Sequence, residues 1–245
     1  MGIDYSYRVY VHRRDAGRLL REVAAWCVPG RDEHTDVVLP DGATVRLPGT
    51  YRFEAGRTVV LADAVAGRPA ATFDLAPCFE PSSAPSFAPD DPLLGYADDR
   101  TTHTFPDGTT RVAVALTYLF VFDAGSLLPG HWLFDFTPAT SEQSRLFLAS
   151  PSIRRAFAGL ADAPLCLLDV EERYRIVVTA HGREISTRVP GPCVLWDVMA
   201  PPAEAYRDLR DPTGRSRWIV GPGDPAYAEF AADLAHHSEV PGTVR

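Results

Sequence analysis

The chain of 245 residues contains no lysine and no asparagine, and Gln143 is its only glutamine. Its 24 basic side chains are therefore all arginine. Without lysine, no Schiff base can form with a cofactor or a carbonyl substrate. The phosphate-binding loop, whose lysine reaches the terminal phosphates, and the strand lysine of protein kinases are both missing. Without asparagine there is no N-glycosylation acceptor. Arginine, alanine, glycine and proline share GC-rich codons whereas lysine and asparagine have AT-rich ones, so genome composition explains the bias; arginine's fixed fork of donors is the competing explanation.

Long hydrophobic runs are also lacking. The longest, Val112 to Phe122, is interrupted by Thr117 and falls short of the roughly 20 residues that a membrane helix needs. The opening Met-Gly-Ile-Asp-Tyr-Ser carries an acid where a secretory signal is basic, which predicts a cytoplasmic protein with no membrane partner. Close cysteine pairs are absent too: Cys27, Cys78, Cys166 and Cys193 stand apart among apolar neighbours, the pattern of buried thiols. No metal and no cofactor is expected. A net charge of −8 with a pI near 5.3 repels phosphate backbones, so nucleic acid is not an expected partner.

What is present suits an ordinary globular protein: 46% hydrophobic and 23% charged residues, in a chain long enough to bury roughly 70 to 75% of its unfolded surface. Ile3, Tyr5, Tyr7, Val9 and Val11 alternate with Asp4, Ser6, Arg8, Tyr10 and His12, the period of a strand. Asp15 is placed to cap a helix with apolar Ala16, Leu19, Leu20, Val23, Ala24 and Cys27, its arginines facing solvent. Pro40-Asp41-Gly42 joins two strands as a hairpin, and further strands are expected over 58–62 and 70–75. Prolines at 77, 81, 85, 89 and 92 mark a linker or long loop. Arg111 to Phe122 reads as one strand apolar on both faces, followed by a strand bearing Trp132, Phe134 and Phe136. Thr140 with Gln143 forms a capping box, and Ser150-Pro151 starts a second helix, with proline at a position where its missing N–H costs nothing. Strands are then expected over 165–170, 174–180, 184–189 and 194–198, the first two forming a hairpin about Glu171-Glu172. A short helix over 203–209 and a last one from Pro225 complete the reading. It predicts an α+β protein, mainly antiparallel sheets with helices packed on them, in two lobes: 1–76 and 108–245, joined by 77–107. The alternative is a single domain over 1–240.

Three constellations carry chemistry. At Ser144 to Arg155, hydroxyls and guanidinium groups surround a helix start, where free N–H groups favour an anion; Arg145, Ser150, Ser152 and Arg154 are the candidate anion ligands, against a plain capping role for Ser150. Asp169 and His181, with Asp135, Glu171, Glu172 and Asp197, form an acid–base or metal site if their strands adjoin, although Glu171-Glu172 is equally a turn. Tyr118, Phe120, Phe122, Trp132, Phe134 and Phe136 line either an apolar pocket or the core. Gly221 to Ala226 fits a glycine-rich dinucleotide fingerprint, but Asp224 and Pro225 explain the same letters as a helix cap. No serine has a nucleophile-elbow context.

The opening Met1 to Val11, the hairpin Val37 to Gly42 ending in Leu47-Pro48, and the segment Ser144 to Arg154 together resemble a group of proteins without assigned function from GC-rich actinobacteria. The resemblance implies a bacterial, cytoplasmic setting and brings no ligand or catalytic residue. Two function classes stay open. One is a non-enzymatic binding or protein-interaction module with an acidic surface; the other is a small-anion binder or enzyme built on residues 144–155.

Overall fold

The first strand of the chain lies in the middle of the largest sheet. In a computed structural model, which describes residues 5–30, 33–49, 56–61, 68–81, 91–114, 116–125, 128–170, 174–180, 193–197, 206–208 and 217–218, β1 (Tyr5–His12) leads through a 3-10 turn (Arg13–Asp15) into α1 (Ala16–Trp26). Then come β2 (His34–Val38), β3 (Thr44–Pro48), β4 (Thr58–Val60), β5 (Ala71–Leu75) and β6 (Cys78–Phe79). A 3-10 turn (Pro92–Tyr96) precedes β7 (Thr102–Thr104), β8 (Thr110–Ala113), β9 (Thr117–Asp123) and β10 (His131–Pro138). Two helices follow, α2 (Ser141–Ala149) and α3 (Pro151–Gly159). The remaining strands are β11 (Leu165–Val170), β12 (Tyr174–Thr179), β13 (Cys193–Asp197), β14 (Tyr206–Asp208) and β15 (Arg217–Trp218).

Among the described residues nine strands form one sheet in the order β15-β14-β13-β12-β11-β1-β10-β9-β5, antiparallel except for the parallel pair β12 and β13. Two three-stranded sheets, β3-β2-β4 and β6-β8-β7, adjoin it. The class is α+β with mainly antiparallel sheets, as strands arriving in hairpins, with helices at the ends of strand runs, predict. β1, from the stretch read as an N-terminal lobe, hydrogen-bonds to β10 and β11 from the stretch read as the C-terminal one, and a single buried cluster takes in Leu19, Val37, Phe134 and Ile176.

The core lies where the helices cover one face of the large sheet. Tyr5, Tyr7, Val9 and Val11 are each 0–1% exposed. The Tyr7 ring stacks on Phe157 of α3 with centroids 4.2 Å apart, and its hydroxyl donates to the Phe147 carbonyl of α2. Phe157 is the hub: Trp26, Phe79, Phe136 and Phe147 all hold their rings within 6 Å of its own. Each such ring pair adds about 0.5–1.5 kcal/mol to what burial alone supplies. The Pro-Asp-Gly triplets at 40–42 and 106–108 both make turns: Gly42 and Gly108 take φ of +82° and +81°, which side chains with a Cβ resist.

Several expectations are corrected. Arg111 to Phe122 is two strands in two sheets: Val112 of β8 pairs with Phe79 of β6 and Thr102 of β7, whereas Leu119 and Val121 of β9 pair with β10 and β5. Tyr206–Asp208 is a strand where a helix is expected; pairing with Val194, Leu195 and Trp196 of β13 overrides local spacing. The described residues of the segment 77–107 hold β6, β7 and a 3-10 turn. Asp15 stands at the start of α1 without a side-chain capping bond and pairs with Arg14, and Arg13 leaves the helix to pair with Asp123 at 2.7 Å. The turn Glu171-Glu172, the strand over 184–189, most of the proline-rich stretch, Gly221 to Ala226 and the last helix lie outside the described residues.

Candidate functional site

The helix start chosen from sequence forms where expected, and its own chain fills it. The Ser150 hydroxyl accepts from the Ile153 amide at 3.2 Å, with Pro151 in the first turn. The Ser152 amide donates to the Asp91 carboxylate at 3.2 Å. The other oxygen of that carboxylate accepts from Leu93, so Asp91, 3% exposed, caps α3 and the 3-10 turn at Pro92 together. An internal carboxylate thus occupies the place where the α3 dipole would favour an anion. Ser150 is fully buried. Arg154, at 1% exposure, turns inward and donates to the Leu148 carbonyl, joining the end of α2 to the start of α3. It also lies beside Tyr7, whose phenol is pushed up by burial while Arg154 pulls it down. Arg145 stands apart on α2, close enough to Tyr96 to draw its phenol down against the stronger upward effects of burial and Glu142.

One turn further along the same helix face there is an opening. A cavity of about 440 Å³ is walled by Trp26, Phe79, Glu80, Arg111, Ser152 and Arg155, among others. Ser152 and Arg155 share a helix face by their i, i+3 spacing. Trp26 and Phe79, with centroids 5.5 Å apart, supply the apolar walls and are held from behind by the Phe157 hub. Arg111 is fixed in place: its Nε donates to Thr109, its terminal nitrogens to the Ala25 carbonyl and Asp107, and its guanidinium lies 4.1 Å over the Phe105 ring. These bonds use three of its five N–H donors. Two guanidinium groups, Arg155 and the Asp107-paired Arg111, and the carboxylate of Glu80 line this concavity.

On the opposite sheet face, strand neighbours bring together part of the acid–base constellation. Arg8 bridges two carboxylates, with Nε 3.2 Å from Asp135 and a terminal nitrogen 2.7 Å from Asp169. Arg175 follows at 3.9 Å from Asp169, giving an alternating row across β10, β1, β11 and β12. Burial pushes the Asp135 carboxyl above its ordinary value, although Arg8, Thr137 and Ser6 pull it down. His181 lies outside the described residues, and among the described residues no group of three or more His, Cys, Asp or Glu side chains is placed to hold a metal ion. Cys27, Cys78 and Cys166 are buried free thiols, and burial pushes the Cys166 thiol up. No described helix is long and apolar enough to cross a membrane.

The aromatic constellation divides. Trp132, Phe134 and Phe136 are buried under the helices, whereas Tyr118, Phe120 and Phe122 are half-buried on the face that carries Asp135. Sequence reasoning missed Asp91, Arg111 and Arg155. Asp91-Pro92 repeats the cap-then-proline pattern of Ser150-Pro151, and the spacing of Ser152 and Arg155 marks their shared face; nothing local brings Arg111 to them. Comparison with protein-family models, curated proteins and solved structures returns no match.

Proposed function

We propose that this chain is a small-ligand-binding protein whose ligand joins an anionic group to a flat apolar body, such as an aromatic carboxylate or phosphate monoester. The observation that carries the proposal is the convergence of Arg111 and Arg155 with the Trp26 and Phe79 rings around one cavity. Its volume of about 440 Å³ falls within the roughly 300–1,000 Å³ of small-molecule sites. The apolar walls receive the body, and the two Arg111 donors not used within the chain, with the positive charge of Arg155 beside them, receive the anion. Ser152 stays in the site from the original set of candidates, whereas Ser150 and Arg154 hold the helix start behind it. A thermal-shift screen of aromatic carboxylates and phosphates is the test, since ligand at 100 times its dissociation constant stabilises by about 2.7 kcal/mol. An equal shift in Arg155→Ala, or none with any anion, overturns the proposal.

The net charge of −8 favours a second reading, a non-enzymatic interaction module for a more basic protein. Recovery of a stoichiometric partner from native lysate, released by salt, supports it; failure to recover one counts against it.

A further inference from the structure

We infer that the sheet face opposite the helices carries a second site, for a small zwitterion of the α-amino acid type with an apolar side chain. A cavity of about 300 Å³ opens there, lined by Arg8, Arg68, Phe122, Asp123, Leu133 and Asp135. Two guanidinium groups and two carboxylates line it. Both signs of charge stand in one small space next to apolar surface, and a free amino acid presents that combination.

Strand register fixes the layout. Phe122 pairs with Leu133 across β9 and β10, and Asp135 pairs with Arg8 across β10 and β1, so the apolar and charged walls belong to one rigid platform. Rigid strands hold ligand groups with less ordering cost than loops do. Asp135 is 9% exposed and sits on the cavity wall. Arg8, Thr137 and Ser6 occupy three of the roughly four acceptor positions of its carboxylate, which leaves one for a ligand ammonium. A buried carboxylate gains from a further cation, because burial penalises its charge. Arg8 and Asp123 are committed to ion pairs with Asp135, Asp169 and Arg13. Arg68 is exposed at the cavity and has no ion pair among the described residues, so its fork is open to a ligand carboxylate. The side chain of the ligand then lies on Phe122 and Leu133.

Leucine is the first probe, tested on the full chain by thermal shift and by ligand-observed NMR. 4-Methylpentanoate, which lacks the ammonium, and 3-methylbutylamine, which lacks the carboxylate, form the other two arms. The expected result is saturable binding of leucine, with both analogues weaker by at least about tenfold, or 1.4 kcal/mol. Arg68→Ala, an exposed substitution, is expected to abolish leucine binding without changing the melting temperature of the free protein. Asp135→Asn is expected to weaken leucine but not 4-methylpentanoate. Binding of 4-methylpentanoate as tight as that of leucine, an unchanged leucine affinity in Arg68→Ala, or no leucine binding at all overturns the inference. Arg155→Ala leaves this site intact, so failure here is distinguishable from failure of the cavity beside α3.

Discussion

The two faces of the large sheet use arginine in opposite ways. Under the helices, Arg154 is sealed at 1% exposure, and its guanidinium ends on a backbone carbonyl. On the other face, Arg8 keeps 29% of its side chain exposed and divides itself between two carboxylates. The first serves as a staple between helix ends, and the second as one rung in a row of alternating charge. Side-chain type alone does not separate these uses; what decides is whether an element packs over the position. A codon bias that turns every basic residue into arginine therefore supplies both kinds of part, since a planar fork with five donors suits each of them.

The largest expected break in this contrast is Arg154→Ala. It strips the Leu148 carbonyl of its donor and leaves a void beside Tyr7, so denaturant unfolding should show a loss of about 3–5 kcal/mol. Asp91→Ala comes next, because it uncaps two helix starts at once; the expected loss is about 2 kcal/mol. That variant sharpens the comparison as well. With the internal carboxylate gone, phosphate should bind at the α3 start and restore part of the stability, and urea titrations with and without phosphate test this. Arg8→Met, on the more exposed face, leaves Asp135 and Asp169 facing each other without their bridge. Partial solvation limits the expected cost to about 1–2 kcal/mol.

The smallest effect concerns pH. Burial holds the Asp135 carboxyl above its ordinary 3.8 in the folded state. A carboxyl raised on folding contributes stability that is fully present below the unfolded value and is lost as pH rises through the folded one. The unfolding free energy of the wild type minus that of Asp135→Asn should therefore fall as pH rises above 3.8. A flat or rising difference would mean that Arg8 outweighs burial at this position.

How much of this was legible depends on the range of the interaction. The helix start at Ser150-Pro151 and the turns at Gly42 and Gly108 are local, and three or four letters suffice to place them. The burial of Tyr5, Tyr7, Val9 and Val11 follows from their period, but period says nothing of neighbours, so the central place of β1 was out of reach. Val112 to Phe122 misled because two short strands apolar on one face each, joined end to end, look like one strand apolar on both. At the candidate site, Ser152 was found through its cap. Arg154 was chosen for the wrong face of α3, and the adjacent Arg155, roughly 100° further round the helix, lines the cavity. Arg111 reaches that cavity from β8, a contact that no window of sequence contains.

The central position of β1 also sets a timetable for synthesis. Its partners are β10, ending at Pro138, and β11, ending at Val170. At about 5–20 residues per second, the roughly 126 residues between His12 and Pro138 take on the order of 6 to 25 s to emerge. Throughout that interval Tyr5, Tyr7, Val9 and Val11 lack both partner strands, so their apolar side chains have no sheet to bury in. The centre of the sheet therefore closes only after more than half of the chain has been made.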